Sequence, residues 1–130
     1  IAHMGSGAVT IDRSTIKGNY VGSSDGGGGI YMEILGSSSL GSMTIRQSAI
    51  IGNSAPFSGS GIESHGQLNI LNSTVSGNTI SSSWQNPSGA IALNGPADIA
   101  HSTITGNLAE TASRAELILM GSVVAGGVAC

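Results

Sequence analysis

Apolar residues in this chain alternate with polar ones over runs of three to five residues, and glycine, serine and asparagine bound each run. Such period-two alternation, so briefly sustained, predicts short half-buried strands rather than helices. The clearest run is Ser102-Thr103-Ile104-Thr105-Gly106-Asn107. It recurs as Ser14-Thr15-Ile16-Lys17-Gly18-Asn19, Ser48-Ala49-Ile50-Ile51-Gly52-Asn53 and Ser73-Thr74-Val75-Ser76-Gly77-Asn78, and Ser122-Val123-Val124-Ala125-Gly126-Gly127 reads as a worn fifth copy. A second set precedes these phrases: Val9-Thr10-Ile11, Met43-Thr44-Ile45, Leu68-Asn69-Ile70, Ala97-Asp98-Ile99 and Leu117-Ile118-Leu119. A third set, Gly29-Ile30-Tyr31-Met32, Gly61-Ile62-Glu63-Ser64 and Ala90-Ile91-Ala92-Leu93, follows them, and no third run is read between Asn107 and Leu117.

The repeat is irregular in length. Asn19, Asn53, Asn78 and Asn107, with Gly127 in the fifth place, lie 34, 25, 29 and 20 residues apart. A fixed phrase on a variable period implies a constant strand-and-turn unit with loops that absorb insertions. Three strands per period, stacked turn on turn, make an all-β parallel solenoid of four to five coils, in which like residues stand over like. Ile16, Ile50, Val75, Ile104 and Val124 are expected in one inward column and Ile11, Ile45, Ile70, Ile99 and Leu119 in another. Ile30, Ile62 and Ile91 make a third. The Gly-Asn step supplies a sharp turn whose residues tolerate positive φ, and Asn19, Asn53, Asn78 and Asn107 are expected to stack as an amide ladder.

Composition agrees with this architecture and narrows the function. Only 8% of the 130 residues are charged, 21 are glycine, and four Lys and Arg against seven Asp and Glu give a net charge of -3. Nucleic-acid binding through a basic patch is therefore not expected. The one cysteine, Cys130, cannot staple the fold. The apolar stretch 115–129 carries Glu116 and three glycines, too short and too interrupted to span a membrane. Residues 1–6 read as a vector-derived leader, leaving residues 7–130 as one domain or a piece of a longer solenoid.

Ser88-Gly89-Ala90-Ile91, with its relatives Gly28-Gly29-Ile30 and Ser60-Gly61-Ile62, combined with the Ile-x-Gly-Asn segments, resembles the repeats of right-handed parallel β-helices. Within the pectin-lyase-like superfamily, the nearest likeness is to bacterial surface proteins with polymorphic-outer-membrane-protein-like repeats. The resemblance spans about residues 8 to 129. It implies a right-handed β-helix, extracellular or at the bacterial surface, with a structural or adhesive role.

Aligned on Ile30, Ile62 and Ile91, the third strands set Tyr31, Glu63 and Ala92 in one outward column and Glu33, His65 and Asn94 in the next, with Trp84 in the loop before the last. Aromatic rings beside carboxylate, imidazole and amide groups on a rigid sheet suit a glycan, or a surface protein, as partner. Superfamily relatives that cleave acidic polysaccharides raise an alternative, a lyase or hydrolase acting through Glu33 and Glu63, diagonal neighbours within the separation that glycoside hydrolysis needs. A second alternative is an ice-binding face built on Thr15, Thr74 and Thr103, which Ala49 interrupts. No cofactor or metal is implied, because the histidines have no paired ligand spacing. Bare stack ends predict a homo-oligomer joined end to end.

Overall fold

The computed structural model describes residues 1–22, 26–34, 41–81, 89–109, 117–119 and 123–129, with side chains described up to Leu108. Among the described residues every element is a strand, and every pairing is parallel. In chain order they are β1 (Ala2–Met4), β2 (Ala8–Asp12), β3 (Thr15–Lys17), β4 (Ile30–Glu33), β5 (Ser42–Arg46) and β6 (Ala49–Ile51). Then come β7 (Ser54–Ala55), β8 (Ile62–Ser64), β9 (Gln67–Leu71), β10 (Thr74–Ser76) and β11 (Thr79–Ile80). The last are β12 (Ile91–Leu93), β13 (Ala97–Thr105), β14 (Leu108–Ala109), β15 (Leu117–Leu119) and β16 (Val123–Ala129).

They form three stacked sheets. Sheet 1 has eight strands, β2, β3, β5, β6, β9, β10, β13 and β16, with two arms meeting at a bend. Sheet 2 is the short set β7-β11-β14, which the sequence did not reveal, and sheet 3 runs β1-β4-β8-β12-β15. Three turns (β5 to β8, β9 to β12, β13 to β15) carry a strand in every sheet, so the solenoid has about three complete turns rather than four or five. The core is the set of inward columns. Ile16, Ile50, Val75 and Ile104 are in register, as are Ile11, Ile45, Ile70 and Ile99, and Ile30, Ile62 and Ile91. All eleven are buried, and no coil could bury them alone.

Two expectations at the carboxyl end are corrected by the register. Leu117–Leu119 pairs with Ile91–Leu93, so it is the third run of its turn and not a first strand over Ile99. The turn after Asn107 has therefore kept its third strand. The segment 123–127 does not continue a fifth phrase, since Val123 lies opposite Ala97, Val124 opposite Asp98 and Ala125 opposite Ile99. A frame of eleven residues explains the shift: that span separates Ala8 from Asn19, Ser42 from Asn53, Gln67 from Asn78 and Pro96 from Asn107. Only the loops outside this frame change length. Residues 1–6, set apart as a leader, include β1, which pairs with β4.

Positive φ recurs at fixed places in the turns, including Gly27 and Gly59 ahead of the sheet 3 strands. Gly18, Gly52, Gly77 and Gly106 hold the corner before the asparagines at φ of 61 to 66°, a conformation that costs glycine little. Asparagine does not share it: Asn19, Asn53, Asn78 and Asn107 have ordinary backbone angles. The bend between the arms of sheet 1 is made instead by Arg13, Gln47, Asn72 and His101, at φ of 44 to 50°.

Candidate functional site

The asparagine column lies inside the solenoid. Asn53, Asn78 and Asn107 are 0% exposed. Asn78 Oδ1 accepts from Asn53 N–H at 2.9 Å and Asn53 Nδ2 at 3.0 Å, while Asn78 Nδ2 donates to Asn107 Oδ1 at 2.9 Å and to the Ile50 carbonyl at 3.0 Å. All four hydrogen-bonding places of that amide are filled, which is what permits its burial. Asn53 repeats the pattern with Asn19 and with the Ile16 carbonyl. These residues build the scaffold, and all but Asn19 at the amino-terminal end are closed off from solvent.

A second ladder escaped the sequence reading. Ser48, Ser73 and Ser102 each accept from the backbone N–H of the serine one turn earlier, at 3.1 to 3.2 Å, and each hydroxyl donates to the carbonyl two residues back. The bend at Gln47, Asn72 and His101 interrupts the backbone ladder there, and the hydroxyl bridges the gap. The signal was present, since serine opens each of these phrases.

Sheet 3 carries the surface chemistry. The register sets Tyr31 opposite Glu63 and Glu63 opposite Ala92. Backbone bonds from His65 N–H to the Met32 carbonyl and from Asn94 N–H to the Ser64 carbonyl continue it, so Glu33, His65 and Asn94 follow in the next column. Glu63 is drawn under cover, at 9% exposure, although its strand face points away from the core. The cover is the glycine run: a methyl group on buried Gly26 would overlap the Glu63 carboxylate and the Ser58 hydroxyl. Ser58 donates to Glu63 Oε2, and Glu63 Oε1 lies 3.0 Å from His65 Nε2. Asn94 Nδ2 is 3.4 Å from the same nitrogen, and the Tyr31 and His65 rings meet edge to face with centroids 6.1 Å apart.

The structure thus brings Tyr31, Glu63, His65 and Asn94 together and adds Ser58, which no periodicity marked. Glu63 has both oxygens engaged, and the chemistry this suits is holding an imidazole in place rather than attacking a glycosidic carbon. Glu33 sits apart from that network, on the wall of an open cleft of about 620 Å³ shared with Met4, Tyr20, Tyr31 and the Gly26 to Gly28 backbone. Trp84 lies outside the described residues. The threonine face of sheet 1 places Thr15, Ala49, Thr74 and Thr103 in one column, with Lys17, Ile51, Ser76 and Thr105 beside it.

Fold and surface together define a short all-parallel β-solenoid with one pre-bonded polar and aromatic face. No family model matches the chain, and comparison with curated proteins and with solved structures finds no match.

Proposed function

We propose that this chain is a stiff scaffold of the adhesive kind whose sheet 3 face, around Tyr31, His65 and Asn94, binds a glycan. In this reading it is a right-handed β-helix related to the pectin-lyase-like superfamily and to surface proteins with polymorphic-outer-membrane-protein-like repeats, and it works at the bacterial surface or outside the cell. The observation that carries the reading is the chain of contacts from Ser58 through Glu63 to His65. Polar groups fixed before a ligand arrives need little further ordering, so more of each contact survives as affinity. The Tyr31 ring offers a flat face for sugar C–H groups, and Asn94 and Glu33 offer hydroxyl partners. The neighbouring cleft, about 620 Å³, falls within the range of small-ligand sites.

Titration calorimetry against neutral and acidic oligosaccharides tests it. Tyr31→Ala and Asn94→Ala are each expected to weaken binding about tenfold, the effect of one lost hydrogen bond or stacking contact. Affinity unchanged in the double variant would remove sheet 3 from consideration.

Copies of the scaffold also join through their ends. At the amino-terminal end Asn19 is exposed, and among the described residues its Oδ1 and the Ser14 hydroxyl oxygen accept nothing, whereas their counterparts in the next turn each accept. Light scattering at rising concentration is expected to show a mass above that of one chain. A constant single-chain mass would refute this association.

A further inference from the structure

We infer that the bend of sheet 1 is a second binding site, which takes an acidic peptide segment of a protein partner. This chain has 21 glycines and spends four of them on the corner before the asparagines, where φ is positive. Gly27 and Gly59 hold positive φ ahead of sheet 3 as well, yet the bend of sheet 1 uses no glycine: its residues are Arg13, Gln47, Asn72 and His101. A side chain in that conformation carries backbone strain, and strain retained where glycine would relieve it points to work done by the side chains.

The charges converge on the same place. Three of the chain's four Lys and Arg residues, Arg13, Lys17 and Arg46, fall within its first two turns. Arg46 Nε is 3.2 Å from Asp12 Oδ1 and its terminal nitrogen donates to Asp12 Oδ2 at 3.3 Å, while Arg13 Nε lies 3.3 Å from Asp12 Oδ2. One carboxylate thus orients two guanidinium groups and neutralises only one. Both remain well exposed, with Arg13 side-chain exposure at 78% and Arg46 at 53%. Their remaining N–H groups are free to grip an incoming carboxylate in the paired geometry guanidinium favours.

Asp12, Arg13, Arg46, Gln47, Leu71 and Asn72 line an open cleft of about 390 Å³. Its chemistry separates a peptide from other anions. Leu71, whose neighbours in register are Arg46 and Ala100, is one of few large apolar side chains left exposed among the described residues. It suits an aliphatic side chain. The Gln47 and Asn72 amides, one turn apart, pair with peptide N–H and C=O groups as an extended strand does. A carboxylate on the arginines, an apolar side chain on Leu71 and a backbone along the amides together describe a short acidic and apolar sequence.

The test uses fluorescence anisotropy with the full chain and a labelled hexapeptide alternating glutamate and leucine. Controls are the same peptide with glutamine for glutamate and a labelled hexuronate oligosaccharide. The acidic peptide is expected to bind at least tenfold more tightly than the glutamine peptide, with affinity falling as salt rises. Arg13→Gln combined with Arg46→Gln removes at least tenfold of that affinity and leaves the melting temperature near that of the parent. Asn72→Gly gives the signature that a purely structural bend would not: it raises the melting temperature and weakens peptide binding. Equal binding of the two peptides, parental affinity in the double arginine variant, or preference for the hexuronate would each overturn the inference. So would Asn72→Gly gaining stability with binding intact. None of these outcomes depends on sheet 3, so the site stands or falls apart from the glycan reading.

Discussion

A buried asparagine is tolerable only while each of its polar atoms has a partner, and in this chain the partners are other asparagines. Asn78→Ala strips an acceptor from two donors of Asn53 and a donor from the Ile50 carbonyl, all away from water. The expected cost is about 3 to 5 kcal/mol by urea denaturation, because orphaned buried groups lose roughly 1 to 3 kcal/mol each. Asn19→Ala, at the exposed end, is expected to cost about 1 kcal/mol. Equal losses at the two positions would mean that the ladder does not set stability. The asparagines could be found in the sequence because one residue type repeats in one slot. The Glu63 network could not, because Ser58 reaches it from a loop outside the repeating frame and the cover comes from Gly26, a turn away. Alternation assigned Glu63 to an outer face correctly, but it carries no information about what folds over that face.

At the scale of strands and turns, the eleven-residue frame is the repeating unit. It holds both arms of sheet 1, the bend between them and the glycine corner, and its length does not vary from Ala8 to Asn107. Strand existence and inward columns were legible up to Asn107 because β-branched residues recur there in the same phase. Beyond it, valine, alanine and glycine replace the phrase, and likeness of composition suggested a fifth copy where hydrogen-bonded register puts β16 over β13. Sheet 2 was hidden because its two-residue strands are too short to show alternation. A single glycine inserted between Ile70 and Leu71 moves one arm out of phase and turns inward residues outward. Loss of the cooperative thermal transition is expected for that variant. Two residues added between Ile80 and Ile91, outside the frame, are expected to shift stability by less than about 1 kcal/mol.

Across the whole molecule, stability is a sum of neighbour interactions along one axis. The middle turns have a partner above and below, whereas β2 and β3 have one on a single side. Hydrogen exchange is therefore expected to be slowest for the backbone amides of Asn53 and Asn78 and fastest along β2 and β3. Uniform protection from end to end would contradict that gradient. Sheet 3 and the arginine-bearing bend of sheet 1 belong to different sheets, so each can be altered without disturbing the other. The buried ladder has one more consequence. Every carboxamide in it faces the same way, and dipoles aligned head to tail reinforce one another, as peptide units do in a helix. The column therefore has its negative pole at Asn19, so that end favours the positive pole of another dipole over a second negative one.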